Sequence, residues 1–80
     1  MLTRYLQSAL RRATYEFHEE NLRFYGELPD CPGVYATGDT LEACREELAE
    51  VLEEWVLFRV SRNLPLPVLD GIELKIRAVA

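Results

Sequence analysis

The sequence contains no hydrophobic run long enough to cross a lipid bilayer. A membrane-spanning helix needs about 20 consecutive apolar residues, and polar side chains interrupt every apolar stretch of these 80 residues far sooner. The first residues, MLTRYLQSALRRA, also lack the apolar core and cleavage site of a signal peptide. Their apolar stripe is narrow, which is more typical of docking onto protein than of a membrane surface. We therefore expect a single cytoplasmic domain.

Cysteine and histidine are scarce, with two cysteines and one histidine in the chain. Cys31 and Cys44 match neither a CxxC pair nor a zinc-binding spacing, and cytosolic cysteines are usually reduced. Cys44 falls on the apolar face of a predicted helix and is expected in the core, whereas Cys31 falls in a turn and is expected to be exposed. The sequence therefore predicts no metal site and no cofactor.

Basic residues are also few, since nine lysines and arginines face fourteen acidic residues and the net charge is −5. Proteins that bind nucleic acids need clustered basic side chains for phosphate contacts, and the one cluster here is Arg4, Arg11 and Arg12. Gly33 and Gly38 lie in turns without the lysine and hydroxyl residue of a phosphate-binding loop. Direct binding of nucleic acid or nucleotide is not expected.

The apolar periodicity predicts the order helix, three strands, long helix, strand. The ranges are a helix over 3–12, strands over 14–20, 22–28 and 34–37, a helix over about 40–62 and a strand over 71–77. A three-stranded antiparallel meander plus a C-terminal strand, with a long helix on one face and a short N-terminal helix, is an α+β fold. Glu20 and Asn21 are predicted to form the first hairpin turn, with Asn21 in the left-handed conformation.

Alternation along the first two strands separates two faces of the predicted sheet. Apolar residues, Tyr15 and Phe24 among them, share one face. The other face carries Glu16, His18, Arg23, Tyr25 and Glu27. Gly26 lies on the apolar face and has no side chain to pack, which predicts a bulge or a close approach by the helix.

Prolines, glycines and aspartates are concentrated after the second strand, in LPDCPGVYATGDTLEA. Pro29 cannot donate a ladder hydrogen bond and ends the strand, and Asp30 can turn its carboxylate onto the following backbone amides. Pro32 and Gly33 fit the two central positions of a type II turn, because Pro fixes its own φ and Gly supplies the positive φ that follows.

The start of the long helix has two candidate caps after Gly38, which breaks the third strand. They are Asp39 and Thr40. Asp39 is preferred, because Glu42 lies three residues further on and completes a capping box. In either case, Glu42 lies near the positive end of the helix dipole.

The long helix carries more apolar residues than one stripe can hold. Seven residues follow the helical period and are predicted to face the sheet: Leu41, Cys44, Leu48, Val51, Leu52, Trp55 and Phe58. Val56, Leu57 and Val60 fall outside this stripe, so either the N-terminal helix or a second copy of the chain must cover them. Because small monomers seldom expose large apolar patches, we expect a homodimer or higher oligomer with these three residues at its interface.

The sequence offers little for catalysis. Neither Ser8 nor Ser61 sits in the strand-to-helix elbow of a nucleophile, and His18 is expected to be a surface residue or partner contact rather than a general acid or base. Glu16, Glu27 and Glu73 could meet on the open face of the sheet as a metal-dependent nuclease site. That alternative stays open, but we predict no catalytic residue.

The segment FYGELPDCPGVYATGDTLEACREELAEVLEEW resembles the HicB family of antitoxins, which combine a strand, a Pro-Asp-x-Pro-Gly turn, a Gly-Asp-Thr motif and an Ala- and Glu-rich helix. The matching positions are Tyr25, Pro29, Asp30, Pro32, Gly33, Thr37, Gly38, Asp39, Thr40, Leu41, Glu42 and Ala43. The resemblance covers residues 14–76 and implies a partial ribonuclease-H-like fold without its catalytic residues. One domain, 1–80, is expected, with an added N-terminal helix over 1–13 and a HicB-like core over 14–77.

The resemblance also implies a partner. HicB antitoxins bind and block a small basic HicA-type ribonuclease, and opposite charge speeds the encounter of such partners. This sequence is similar to a short form without the C-terminal DNA-binding domain of many HicB proteins, so operator binding is not expected. The function expected is a non-catalytic protein-binding module that uses the polar sheet face. The alternatives are a degenerate nuclease and a free-standing oligomeric regulatory protein.

Overall fold

Five elements make up the described part of the chain. The structure is a computed structural model that describes residues 2–69 and Gly71. The elements are α1 Leu2–Arg11, β1 Thr14–His18, β2 Arg23–Glu27, β3 Tyr35–Gly38 and α2 Leu41–Ser61. The predicted α+β order is confirmed for these elements, and the predicted last strand lies outside the described residues except for Gly71. Neither helix in this part of the chain combines the length and hydrophobicity that a bilayer crossing requires.

The three strands form an antiparallel sheet in the order β1-β2-β3. Tyr15 pairs with Gly26, and Gly26 pairs with Ala36, in a continuous register without a bulge. A Cβ atom on Gly26 would lie 2.8 Å from a ring carbon of Tyr15 and 3.1 Å from the Cys44 sulfur of α2. The predicted close approach of the helix at Gly26 is therefore confirmed, and α2 packs on β2 and β3 while α1 packs on α2.

The turn between β1 and β2 differs from the prediction. His18 pairs with Arg23, which leaves a four-residue connection over 19–22. The left-handed residue is Leu22, with φ of 55°, and the prediction of Asn21 was wrong. A longer loop moves the left-handed position to its last residue, and the Leu22 side chain, 70 % exposed, has no packing role there.

Two consecutive turns connect β2 to β3. The Cys31 N–H donates to the Leu28 carbonyl and the Val34 N–H to the Cys31 carbonyl, both at 3.0 Å. Gly33 has φ of +95°, which confirms the predicted turn around Pro32 and Gly33. The two turns point Cys31 inward, where it is fully buried. The prediction of an exposed Cys31 was wrong, because neither turn alone shows which way the residue between them faces.

The N-cap of α2 is Thr40. Its Oγ1 accepts a hydrogen bond from the Ala43 N–H at 3.0 Å, and its backbone is extended. The preference for Asp39 was wrong, because the Asp39 carboxylate binds Arg23, with 2.6 Å between Oδ1 and Nη1. Gly38 immediately precedes this cap region, and a Cβ atom there would lie 2.6 Å from the Cys44 backbone nitrogen.

The C-terminal end of α2 is closed by backbone hydrogen bonds. Asn63 has φ of 54°, its N–H donates to the Val60 carbonyl at 3.1 Å, and the Leu64 N–H donates to the Arg59 carbonyl at 2.8 Å. These two bonds and the left-handed residue form a Schellman motif. The helix therefore ends before Pro65, where the prolines were predicted to end it.

The core lies between the helices and one face of the sheet. Its buried residues are Tyr5, Ala9, Leu28, Cys31, Val34, Ala36, Leu48, Leu52, Val56 and Leu69. Val56 is 1 % exposed, so its assignment to a subunit interface was wrong: it belongs to the same buried cluster as Tyr5 and Ala9 of α1. Phe58, predicted to face the sheet, is 53 % exposed, so that prediction was wrong.

The buried groups of Tyr5 and Cys31 predict a loss of stability in alkali. The Tyr5 hydroxyl donates to the Pro67 carbonyl at 2.6 Å. Burial raises the pKa of Tyr5 to about 12 and the pKa of Cys31 to about 11. Both groups ionise more easily in the unfolded chain, so the stability they provide is complete below about pH 9 and is lost as pH rises through these values.

We expect urea denaturation to show a free energy of unfolding that is flat up to about pH 9 and falls towards about pH 12. Cys31→Ala should reduce the fall that begins near pH 9, and Tyr5→Phe the fall that begins near pH 10. Part of the fall should remain in each variant, because the pKa values of Cys44, Tyr15 and Tyr25 are also raised. Tyr5→Phe should also lower stability at neutral pH by about 1 kcal/mol, because the Pro67 carbonyl loses its donor. A curve that stays flat through this range contradicts the prediction.

Candidate functional site

The polar residues predicted from alternation share the sheet face that points away from the helices. Tyr15, Gly26 and Ala36 mark the face towards α2, and neighbouring residues of each strand point the opposite way. We call this second face the open face. It is formed by Glu16, His18, Arg23, Tyr25, Glu27, Tyr35 and Thr37. The structure therefore brings together all five predicted contact residues.

An aromatic row crosses the open face diagonally. The His18 and Tyr25 rings lie 5.6 Å apart at 12°, and the Tyr25 and Tyr35 rings lie 6.0 Å apart at 27°. The row uses one residue from each strand. It runs diagonally because the residue directly opposite Tyr25 on β1 is Glu16, and the residue directly opposite Tyr35 on β2 is Glu27. The sequence prediction missed Tyr35. The alternation in YATG, which buries Ala36, could have found it.

Two carboxylates lie beside the aromatic row. Glu16 Oε2 is 3.4 Å from His18 Nε2, and the Tyr25 hydroxyl donates to Glu27 Oε2 at 3.4 Å. Desolvation and then the Glu27 carboxylate raise the pKa of Tyr25 above its ordinary value. The hydroxyl therefore remains protonated at neutral pH and acts as a donor.

The arginine of the open face is paired within the chain. Arg23 Nη1 lies 2.6 Å from Asp39 Oδ1, and its Nη2 donates to Thr37 Oγ1 at 3.4 Å. The pair is exposed, so it adds at most about 1 kcal/mol to stability. It does offset the positive charge of Arg23, which leaves Glu16 and Glu27 to set the charge beside Tyr25 and Tyr35.

A separate cleft of about 720 Å³ opens between α1, β1 and α2. Tyr15 lines it, and burial raises the pKa of Tyr15 while Arg45 opposes part of that rise. Arg11 and Arg45 are offset there by Glu42 and Glu46. This balance gives no clear preference for an anionic or cationic ligand.

The nuclease alternative depends on Glu16, Glu27 and Glu73 meeting on the open face as a metal site. Residues 2–69 and Gly71 contain no group of three or more histidines, cysteines or acidic residues that could hold a metal ion. Glu16 and Glu27 lie on neighbouring strands, two pairing positions apart. Glu73, the third carboxylate of that alternative, lies outside the described residues.

Comparison with known proteins assigns the family. The model of the UPF0150-like family matches residues 4–67, which is most of the chain. The chain belongs to the UPF0150-like family. The matched range includes the sheet, α2 and all but two residues of α1. All residues of the open face of this UPF0150-like domain therefore lie within the matched range.

One curated protein and one crystal structure are similar to this UPF0150-like chain. A "UPF0150 protein" of Thermotoga maritima is 44 % identical over 41 residues, which are 51 % of this chain and 55 % of the relative. The chain thus spans about half the length of the curated relative that it matches. The crystal structure of TTHA0281 from Thermus thermophilus is similar with a TM-score of 0.85 and 44 % identity, over 96 % of this chain and 95 % of that chain.

Proposed function

We propose that this UPF0150-like chain is a non-catalytic, cytoplasmic protein-binding module of the HicB type, which binds and neutralises a small basic HicA-type ribonuclease. The observation that carries the proposal is the aromatic row His18, Tyr25 and Tyr35, flanked by carboxylates on the open face. The antitoxin part of the proposal rests on the resemblance of the Pro-Asp-x-Pro-Gly and Gly-Asp-Thr motifs to HicB proteins.

The aromatic row is better explained by binding than by folding. Tyr35 is 58 % exposed, and the core lies on the other face of the sheet. Tyrosine supplies a large apolar area with a polar tip, and it is enriched at the energetically dominant positions of protein interfaces. A solvent-facing row of such residues supports a protein partner.

The charge of the chain favours a basic partner. Its net charge is −5, and Glu16 and Glu27 bring negative charge next to the aromatic row. Complementary charge increases the association rate and disfavours acidic partners.

We also propose that the chain self-associates through the end of α2. The exposed apolar residues near this end are Leu57, Phe58, Leu64 and Val68. Of the three residues predicted for a subunit interface, Leu57 is 53 % exposed and Val60 is half-buried. An apolar surface of this kind supports a contact with a second copy that leaves the open face available.

The functional test uses the product of the short basic reading frame that the proposal requires beside this gene. Co-expression of the chain should relieve the growth arrest that this product causes, and the two proteins should co-purify. Tyr25→Ala should weaken the complex by about tenfold or more, because it removes the central ring of the row. Phe17→Ala truncates a partly exposed aromatic residue on the other face of the same hairpin and is the matched control.

Three results would count against the proposed function. The first is the absence of any small basic reading frame beside the gene. The second is a toxin that stays active in the presence of excess chain. The third is cleavage of RNA by the purified chain with magnesium or manganese, abolished by Glu16→Gln or Glu27→Gln, since this would establish the nuclease alternative.

A further inference from the structure

We propose that the open face recognises its partner through arginine side chains, which stack on Tyr25 and Tyr35 and pair with Glu27 and Glu16. This inference rests on the proposed function, because it names the partner chemistry for the same face. It goes further by specifying one residue type on the partner and the four side chains that receive it.

The first step of the argument is the position of the carboxylates relative to the rings. Glu16 on β1 pairs with Tyr25 on β2, and Glu27 on β2 pairs with Tyr35 on β3. Each ring of this pair therefore has a carboxylate beside it on an adjacent strand. The Glu27 and Glu16 charges also act on the Tyr25 hydroxyl, since both raise its pKa after the larger effect of desolvation.

The second step is that these carboxylates have no arginine or lysine partner within residues 2–69 and Gly71. Glu27 accepts from the Tyr25 hydroxyl, and Glu16 lies 3.4 Å from His18. The nearby cation, Arg23, is paired with Asp39. A partner cation would therefore find negative charge beside Tyr25 that is not paired with an arginine or lysine of residues 2–69.

The third step selects arginine as the cation. A guanidinium group is planar, so it can lie flat on a tyrosine ring while its N–H groups form two parallel hydrogen bonds to a carboxylate. A lysine ammonium can pair with the carboxylate and approach the ring, but it cannot combine stacking with a bidentate contact. Aromatic and acidic groups on neighbouring strands thus fit arginine better than lysine.

The same arrangement disfavours nucleic acid. Aromatic rows on sheets can stack unpaired bases, but such sites also need basic side chains for the phosphates. Here Glu16 and Glu27 flank the rings, Arg23 is already paired with Asp39, and the chain as a whole carries a net charge of −5. Repulsion of the phosphates makes single-stranded RNA the weaker candidate, and the experiment includes it as a competing outcome.

The test is an NMR titration of the full isotope-labelled chain with three probes. They are a blocked decapeptide of alternating arginine and glycine, the same peptide with lysine in place of arginine, and a single-stranded decauridylate. The arginine peptide should bind about fivefold more tightly than the lysine peptide, and the largest shifts should fall on Tyr25, Tyr35 and Glu27. Decauridylate should cause no comparable shifts on the open face.

Variants separate stacking from charge. Tyr25→Leu should bring the ratio of the two peptide affinities close to one, and Tyr35→Leu should reduce it independently. Glu27→Gln should weaken both peptides, because it removes a charge that both use. Glu50→Gln removes the same charge from an exposed position of α2 and should change either affinity by less than about twofold.

Equal affinities for the two peptides in the unmodified chain would overturn the inference, as would shifts confined to the acidic surface of α2. Decauridylate bound on the open face would overturn it in favour of RNA. Neutralisation of the toxin without an arginine preference would refute the inference alone. An arginine preference without neutralisation would refute the proposed function and leave an arginine-binding face for another basic protein.

Discussion

Leu52→Ala is expected to lower the free energy of unfolding by about 2 to 5 kcal/mol. Leu52 is fully buried on α2, in the core that α1, α2 and the sheet share. Truncation there removes buried methyl groups and leaves a cavity that the packed surroundings fill only in part. A chain of this size has a total stability of roughly 4 to 12 kcal/mol, so the variant could be partly unfolded at room temperature. Urea denaturation followed by circular dichroism measures the effect.

Leu57→Ala is the matched control, since it makes the same substitution five positions along the same helix. Leu57 is 53 % exposed, so at low protein concentration its truncation should lower stability by less than about 1 kcal/mol. At higher concentration, the unmodified chain should gain stability by self-association, and Leu57→Ala should reduce that gain. Equal losses in the free energy of unfolding for Leu52→Ala and Leu57→Ala would contradict the expectation that the buried leucine contributes more. A stability independent of concentration would refute the proposed oligomer.

Gly38→Ala is expected to lower the free energy of unfolding by about 3 kcal/mol or more. The added Cβ atom would lie 2.6 Å from the Cys44 nitrogen and 2.9 Å from the Cys44 Cα. Both are backbone atoms in the first turns of α2, so no side-chain rotation relieves the overlap. The end of β3 and the start of α2 must move apart instead, which disturbs the Thr40 cap.

Two other glycines give the comparison for Gly38→Ala. A Cβ atom on Gly26 would meet the Tyr15 ring and the Cys44 sulfur, which are side-chain atoms that can shift. A Cβ atom on Gly33 would meet nothing within 4 Å, and its φ of +95° leaves only backbone strain of about 1 kcal/mol. The loss of stability measured in urea should therefore be largest for Gly38. A loss for Gly33 as large as that for Gly38 would contradict the steric explanation.

The parts of the fold that depend on local sequence could be predicted. Alternation assigns a face to each residue from its neighbours alone, and it placed Glu16, His18 and Tyr25 on one face without any knowledge of the rest of the chain. The turn at Pro32 and Gly33 follows from the φ values that these two residue types prefer. Neither inference needs a contact between distant segments.

Two of the wrong predictions depend on distant contacts. Thr40 is the cap because Asp39 binds Arg23, which is 16 residues away in the sequence. Val56 is buried in a core cluster that includes Tyr5 and Ala9 of α1, more than 40 residues away in the sequence. Helical periodicity cannot show which part of an apolar surface a separate helix will cover.

The candidate site was predicted in part. Alternation found five of its residues but not the order of the rings, because the diagonal row depends on the register between strands. That register, set by the four-residue connection between β1 and β2 and by the two turns before β3, brings Tyr35 next to Tyr25. A prediction of the strand register would therefore have been needed to find the ring contact between Tyr25 and Tyr35.

The position of the core on a single side of the sheet has an evolutionary consequence. Exposed side chains away from the core can usually change with an effect within about 0.5 kcal/mol of zero. Mutations at Tyr25 or Tyr35 can therefore accumulate without unfolding the domain, while changes at Leu52 or Gly38 are removed by selection. UPF0150-like proteins can thus vary on this face while they inherit the same scaffold, and the outward positions of β1, β2 and β3 are where their sequences should differ most.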